Sequence, residues 1–403
     1  MKKFNIPEYY KSPIIGKVKA KRKLEDPRKQ DFSPSSISFH NVEFIISRHF
    51  GFCYGVENAI EKSYDAIQAN PDKKIYLLSQ MIHNPEVNND LQSQGVRFIQ
   101  DTEGNHLIHW DEIDSNDIVI IPAFGTTLET LAILEKKGID VVSYNTTCPF
   151  VEKVWNRSKT LGEKNHTVVI HGKYSHEETK ATFSHSQQSS PTLIVRDISE
   201  TRHIVDYITG AISSDKLLQL FKGKYSSNFN PVIDLNRIGV VNQTTMLASE
   251  TQEIADLLKS IMTAKYGEDE LKNHFADTRD TLCYATNDNQ SATLELLKED
   301  ADIAIVVGGY NSSNTSHLVE LLEPKFETFF IKNESEIISK NQIRSFNFKT
   351  KTLDELDRFL PQKEQYKIIV TSGASCPDSE VDKVMQKIMY ILGSPLTNSD
   401  LDN

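Results

Sequence analysis

Paired cysteines are missing from this sequence. Its four cysteines, Cys53, Cys148, Cys283 and Cys376, are spread along the chain, too sparsely for the disulfide framework of a small secreted domain. No two form the CxxC pair of a zinc ribbon, a thioredoxin-like dithiol or a clustered ferredoxin. A reduced compartment fits this usage, and a metal shared among these thiols would have to sit between domains. Long apolar runs are also missing. No stretch approaches the roughly 20 residues that cross a bilayer, and the amino terminus has no apolar signal core. A cytoplasmic chain with no membrane partner is expected. Positive charge is in short supply, with a formal net charge of -11. No global field therefore exists to hold a nucleic-acid backbone, and the expected partners are small molecules or proteins.

What is present is enough for a sizeable core: 403 residues with 38% hydrophobic content suggest two or three domains. Residues 1 to about 40 differ in character from the rest, with a basic run from Lys17 to Lys23 and a Ser33-Pro34-Ser35-Ser36 stretch. They read as a solvated or surface-packed arm; Glu8, Glu25, Asp26 and Asp31 argue against a transit peptide. From Glu43 onward, short β-branched runs alternate with longer helical patterns, the signature of βαβ units, so the fold class is α/β with mainly parallel sheets. The expected strands are Glu43–Ser47, Ile75–Ser79, Ile118–Ile121, Thr167–His171, Ile238–Val241, Ile303–Val307 and Lys367–Thr371. Helical patterns follow near Val56–Ala69, Glu129–Lys137, Val151–Glu163, Ser249–Met262, Gln290–Leu297 and Ser379–Leu392.

Strand after strand ends in a polar loop. Ligands in open parallel sheets bind beyond the carboxyl ends of strands, so these loops could face one site, although polar loops also cap helices as a matter of course. Their richness in His83, His176, Glu178, Thr244, Ser312, Asn314 and Ser375 favours a site. Ser312-Ser313-Asn314 opens a helix pattern just after a strand, where hydroxyls, an amide and free helix N–H groups make an oxyanion or phosphate cradle. Glu178, at another helix start, could relay protons or merely complement the helix dipole.

Three cysteines stand in matching contexts, Gly51-Phe52-Cys53-Tyr54-Gly55, Thr146-Thr147-Cys148-Pro149 and Leu282-Cys283-Tyr284-Ala285-Thr286. Three thiolates could hold a cubane cluster and leave one iron open to an oxygen ligand. A free cysteine is equally at home as a small core residue, and spacing alone does not choose.

Taken in order, Gly51-Phe52-Cys53-Tyr54-Gly55-Val56, His83-Asn84, Thr147-Cys148-Pro149, His176-Glu177-Glu178, Gln243-Thr244-Thr245, Cys283-Tyr284-Ala285-Thr286, Asn311-Ser312-Ser313-Asn314 and Gly373-Ala374-Ser375 resemble the 4-hydroxy-3-methylbut-2-enyl diphosphate reductase family, also called the LytB family. The match runs from about residue 43 to residue 392. The resemblance implies a trefoil of three α/β domains, 41–147, 148–282 and 283–395, between the arm at 1–40 and a tail at 396–403. It further implies one [4Fe-4S] cluster with three cysteine ligands, Cys53, Cys148 and Cys283. His83, Ser312, Asn314 and Ser375, with Ser313 close by, would hold the diphosphate. His176 and Thr244 would lie at the hydroxymethyl end of the substrate, where Glu178 with Thr244 forms the proton relay. The implied reaction is a reductive dehydroxylation to isopentenyl and dimethylallyl diphosphates, the last step of the non-mevalonate isoprenoid pathway, with an electron donor such as ferredoxin or flavodoxin.

One departure stands out. The loop Pro122-Ala123-Phe124-Gly125 carries Phe124 where many bacterial members have a histidine, and a phenyl ring cannot donate a hydrogen bond. With Gly172-Lys173-Tyr174-Ser175-His176, this form looks like the branch found in plants and cyanobacteria. Lys173 or Thr126 could supply the missing donor. Cys376 lies outside the family pattern and reads as a bystander. Two other classes remain open on the residues alone: a redox-neutral iron–sulfur hydro-lyase, and a non-catalytic diphosphate-binding or zinc protein.

Overall fold

The computed structural model describes residues 4–276 and 281–395; the tail expected at 396–403 lies outside the described residues. The chain divides into two compact units. The first takes in 4–57, 83–87 and 284–395, and the second 58–82, 88–276 and 281–283.

The first unit is built on a five-stranded sheet in the order Ser35–Phe39, Val42–Ile46, Tyr366–Ser372, Ile303–Val307, Thr328–Ile331. The three inner pairings are parallel, and an antiparallel hairpin at one edge joins Phe39 to Val42 across His40 and Asn41. His40 adopts a positive φ of 46° there, as a tight hairpin turn demands. Alternation along the strands explains how both faces are covered. Ile303, Ile305 and Val307 join Phe44, Ile46, Ile368 and Val370 in one core with Val381, Val384 and Ile388 from the helix Asp378–Ile391. Ala304 and Val306 join Ile45, Ile369 and Phe330 on the other face, against Leu318 and Leu322 of the helix Ser313–Leu322. A strand buried on both faces reads as a continuous apolar run, which Ile303–Val307 is.

The second unit contains two all-parallel sheets. One has Ile75–Leu77 between Arg97–Phe98 and Ile118–Ile120; the other runs Thr192–Val195, Thr167–His171, Ile238–Asn242, Phe275–Ala276. The second of these again splits its side chains. Val169, Leu193 and Val240 pack with Ile254 and Leu258 of the helix Ala248–Tyr266 on one face, and Val168, Ile170 and Val241 with Val154 and Leu161 of the helix Pro149–Glu163 on the other.

The arm is part of the first unit. Its helix Pro13–Glu25 buries Ile14 and Ile15 in the same core as the helix Asp378–Ile391, and it inserts a buried arginine. Arg22 donates from Nη1 to the carbonyls of Ser47 (2.7 Å) and Arg48 (3.0 Å), from Nη2 to that of Ile46 (2.9 Å), and from Nε to Ser35 Oγ (2.9 Å). Burial, with Arg48 nearby, lowers its guanidinium to about 10, so it remains charged at neutral pH. Arg22→Met leaves those carbonyls buried without their donor, and a charged hydrogen-bond set of this kind is worth about 3 kcal/mol. Urea unfolding of the variant should show a loss of that order at an unchanged m-value; parental stability would mean that the carbonyls find other donors.

Candidate active site

In the first unit the expected phosphate-binding residues come together. The strand Ile303–Val307 leads through residues 308–311 to Ser312, the N-cap of the helix Ser313–Leu322. Ser312 Oγ accepts from the Thr315 N–H at 3.2 Å, so capping and ligand binding are not exclusive: the cap uses the oxygen as an acceptor and leaves its proton to donate. Asn314 Oδ1 accepts from the Ala374 N–H at 3.0 Å, and Ser375 Oγ donates to the His83 carbonyl at 3.3 Å. Two glycines permit this closeness. A Cβ on Gly309 would collide with the His83 carbonyl, and one on Gly373 with Thr315 Oγ1. His83, Ser312, Ser313 and Asn314 are all buried. The Asn314 Nδ2 donor, turned from the Ala374 contact, has no partner among the described residues. A buried amide donor left over at a helix start is suited to an anion.

In the second unit the residues expected to form a proton relay lie close together. His176 is the N-cap of the helix Glu177–Ser186, and its Nδ1 accepts from the Glu178 N–H at 3.2 Å. A neutral His176 bonded in this way carries its proton on Nε2. Glu178 is 1% exposed, and its Oε1 accepts from the Thr244 N–H at 2.5 Å. Burial raises the Glu178 carboxyl to about 7, against the opposing pull of hydrogen bonds from the Thr244 backbone and side chain. The other side of Thr244 meets a cysteine, since its carbonyl accepts from the Cys283 N–H at 3.3 Å. Gln243 fixes these loops to each other. Its Oε1 accepts from the Lys173 N–H and from Thr179 Oγ1, each at 3.1 Å, while its Nε2 donates to Thr245 Oγ1 at 2.7 Å. The Phe124 ring stands edge-on to the His176 ring, with centroids 5.6 Å apart, and so orients that imidazole by packing.

All four cysteines are free thiols. Cys53 immediately precedes the helix Tyr54–Ala69, Cys148 is the N-cap of Pro149–Glu163 without a side-chain cap bond, and Cys283 immediately precedes Tyr284–Leu296. Thiolates are stabilised at helix starts. Burial nevertheless pushes the Cys53 thiol up, against the Val56 and Gly55 N–H groups that draw it down, so a cationic ligand would be needed to keep that sulfur ionised. Among the described residues no group of three or more His, Cys, Asp or Glu is gathered for a metal; Cys53 lies in the first unit, and Cys148 and Cys283 in the second. Free thiols are the donor chemistry that an iron–sulfur cluster takes. Cys376 is fully buried in the first unit's core, and burial holds its thiol well above the usual range. It packs as a core residue.

Residues 44–389 match the LytB protein family. The chain belongs to the LytB family. Two similar relatives are the 4-hydroxy-3-methylbut-2-enyl diphosphate reductases of Crocosphaera subtropica, 39% identical over 86% of this chain and 84% of that protein, and of Microcystis aeruginosa, 40% identical over 88% and 86%. Both organisms are cyanobacteria, as the Phe124 loop leads one to expect. The fold is that of two solved LytB-type structures. One is (E)-4-hydroxy-3-methyl-but-2-enyl diphosphate reductase, the terminal enzyme of the non-mevalonate pathway (TM-score 0.53, 23% identity, covering 87% of this chain and all of that one). The other is the E-1-hydroxy-2-methyl-but-2-enyl-4-diphosphate reductase of Plasmodium falciparum (TM-score 0.61, 22% identity, covering 89% and 92%).

Sequence reasoning on this LytB chain overlooked three residues. Thr315, with a buried hydroxyl unpartnered among the described residues, lies beside Gly373 under the cradle. Gln243 was quoted only as part of a motif. Glu177 is a second buried carboxyl, raised to about 7 by burial and drawn down by Ser79 and Lys180; the doubled carboxylate at a helix start was its signal. Glu178 binds its proton more tightly folded than unfolded, where a carboxyl titrates near 4.5. Burial of this group therefore costs nothing below that pH and destabilises progressively as pH rises from 4.5 through about 7. A neutral isostere removes the dependence: Glu178→Gln should melt above the parent at about pH 8 and alongside it at about pH 4. Melting curves that run parallel across that range would show an ordinary carboxylate.

Proposed function

We propose that this LytB chain catalyses the reductive dehydroxylation of 4-hydroxy-3-methylbut-2-enyl diphosphate to isopentenyl and dimethylallyl diphosphates, using one [4Fe-4S] cluster held by Cys53, Cys148 and Cys283. The observation that carries the reading is the Thr244 peptide, with its N–H on the Glu178 carboxyl and its carbonyl on the Cys283 N–H. A buried, protonatable acid stands one peptide away from a proposed cluster ligand. The reaction takes up two electrons and two protons, breaks the C–O bond of the hydroxymethyl group and releases water. When bound, the cluster supplies the electrons and, at an iron without a protein thiolate, a Lewis-acid site for the substrate oxygen.

The chain's own residues do the rest. His83, Ser312, Asn314 and Ser375, with Ser313 at the helix start, hold the diphosphate, which takes the hydrogen bond that Asn314 Nδ2 lacks. His176 and Thr244 orient the hydroxymethyl end. Glu178, protonated near neutral pH because it is desolvated, delivers a proton to the leaving oxygen, with the Thr244 hydroxyl beside it in the relay. Phe124 contributes packing and no donor, so the diphosphate depends the more heavily on Asn314 and His83. Three domains are proposed, with their boundaries near 147 and 282. An electron carrier such as ferredoxin or flavodoxin is the proposed donor. No helix among the described residues is long and apolar enough to cross a membrane, and the cytoplasm is the proposed compartment.

The test is an anaerobic assay of the reconstituted protein with a chemical reductant and the hydroxylated diphosphate. Reductant-dependent product supports the proposal. Dehydration without electron uptake would point to a hydro-lyase, and a colourless protein that loads zinc to a binding protein. In the same preparation, Cys53→Ser, Cys148→Ser and Cys283→Ser should each lose most bound iron and sulfide while Cys376→Ser keeps them; full loading of any of the first three removes that ligand. For the cradle, Asn314→Ala should weaken diphosphate binding on the order of ten- to a hundredfold, as expected for a lost hydrogen bond to a charged group. Parental affinity would place the diphosphate elsewhere.

A further inference from the structure

The proposed Cys53 ligand sits in a five-residue turn, and the arm touches that turn at three alternate positions. The Phe4 ring packs edge-on against Tyr54 with centroids 4.9 Å apart, and the buried Tyr10 ring packs against Phe52 at 5.6 Å. Lys19 Nζ donates to the Phe50 carbonyl at 3.1 Å and lies 4.5 Å from the centroid of the Phe50 ring. The same ammonium donates to Asp378 Oδ1 at 2.7 Å, at the start of the helix Asp378–Ile391. Gly51, with φ at +82°, has no room for a side chain, since a Cβ would strike Asp378 and come within 2.8 Å of Lys19 Nζ. The turn is thus pressed against both groups of an ion pair.

That pair joins two loops. On one side is the Cys53 turn, on the other the 373–378 loop that carries Ser375, and the Cys53 N–H donates to the Ala374 carbonyl at 3.2 Å between them. The pair is mostly shielded, with the side chains of Lys19 34% and Asp378 20% exposed, and a partly desolvated, hydrogen-bonded pair holds its geometry better than an exposed one. Phe4, Tyr10 and Lys19 themselves lie outside residues 44–389, which match the family.

We propose that Lys19 is a positioning residue of the active site: from outside the family-matched region it locks the Cys53 turn to the Ser375 loop, with Tyr10 and Phe4 closing the turn's outer side. This rests on the reading of Cys53 as a cluster ligand. Its physical content is a lower frequency of local opening at Cys53, and the loss of one charge-assisted pair should raise that frequency on the order of tenfold.

The experiment compares Lys19→Met, Lys19→Arg and Tyr10→Ala with the parent in the full chain. In the metal-free protein, alkylation by iodoacetamide is followed peptide by peptide; in the reconstituted protein, anaerobic iron release to a ferrous chelator is timed. Lys19→Met should label Cys53 on the order of tenfold faster with Cys148 unchanged and should release iron faster. Tyr10→Ala should act in the same direction, and Lys19→Arg should restore both rates. Acceleration at Cys53 and Cys148 alike would be general loosening, acceleration at neither would leave the turn independent of the arm, and either result overturns the proposal. A parent that loads no iron fails the function reading instead, while the alkylation comparison still judges the lock.

Discussion

A single peptide group, that of Thr244, is the constraint on which the proposed chemistry depends. Its N–H faces the Glu178 carboxyl and its carbonyl faces the Cys283 N–H. A carboxyl in water is ionised at neutral pH, and one placed against a peptide N–H in a dry setting keeps its proton much of the time, because one or two hydrogen bonds do not replace a hydration shell. The fold sets up this balance by placing Glu178 at the second position of a helix whose first turn buries Glu178 and Thr179 and by holding Gln243 across the adjoining loops. Gln243 thus positions the proposed acid without taking part in its chemistry.

The proposed diphosphate cradle follows the opposite rule. There a donor is left over: the Asn314 amide has no acceptor among the described residues, and it stands at a helix start, where positive potential gathers. The first proposed role calls for a group that prefers to be neutral, the second for donors that would meet a double anion.

The central strands were legible because an apolar β-branched run admits few other readings. Thr167–His171 and Ile303–Val307 have the expected bounds, and Val42–Ile46 differs by one residue at each end. The edge strand Ser35–Phe39 was hidden in a Ser- and Pro-rich stretch, and it pairs on one side only, so it needs no apolar alternation on its outer face. The helix Tyr284–Leu296 was expected to start six residues later, near Gln290. Its first turns bury Thr286 and Asn289 in place of aliphatic groups, and periodicity methods see only apolar stripes. A helix start was expected at Glu178, but the body of the helix Glu177–Ser186, with Thr179, Thr182 and Ser184 buried, shows no apolar stripe. In both helices buried hydroxyls or amides take the place of an apolar stripe. The candidate site residues are marked by motif order, not by spacing or composition. The arm's contacts were not legible at all, since they depend on aromatic rings and one lysine meeting residues far along the chain.

The most direct test of the account is the titration of Glu178 itself. Carboxyl carbon-13 resonances of glutamate-labelled protein, followed against pH and assigned by the signal that disappears in Glu178→Gln, report its midpoint apart from that of Glu177. The account predicts a midpoint near 7; one at the ordinary value of 4.5 would show an ionised Glu178 at neutral pH and contradict its role as the proton donor.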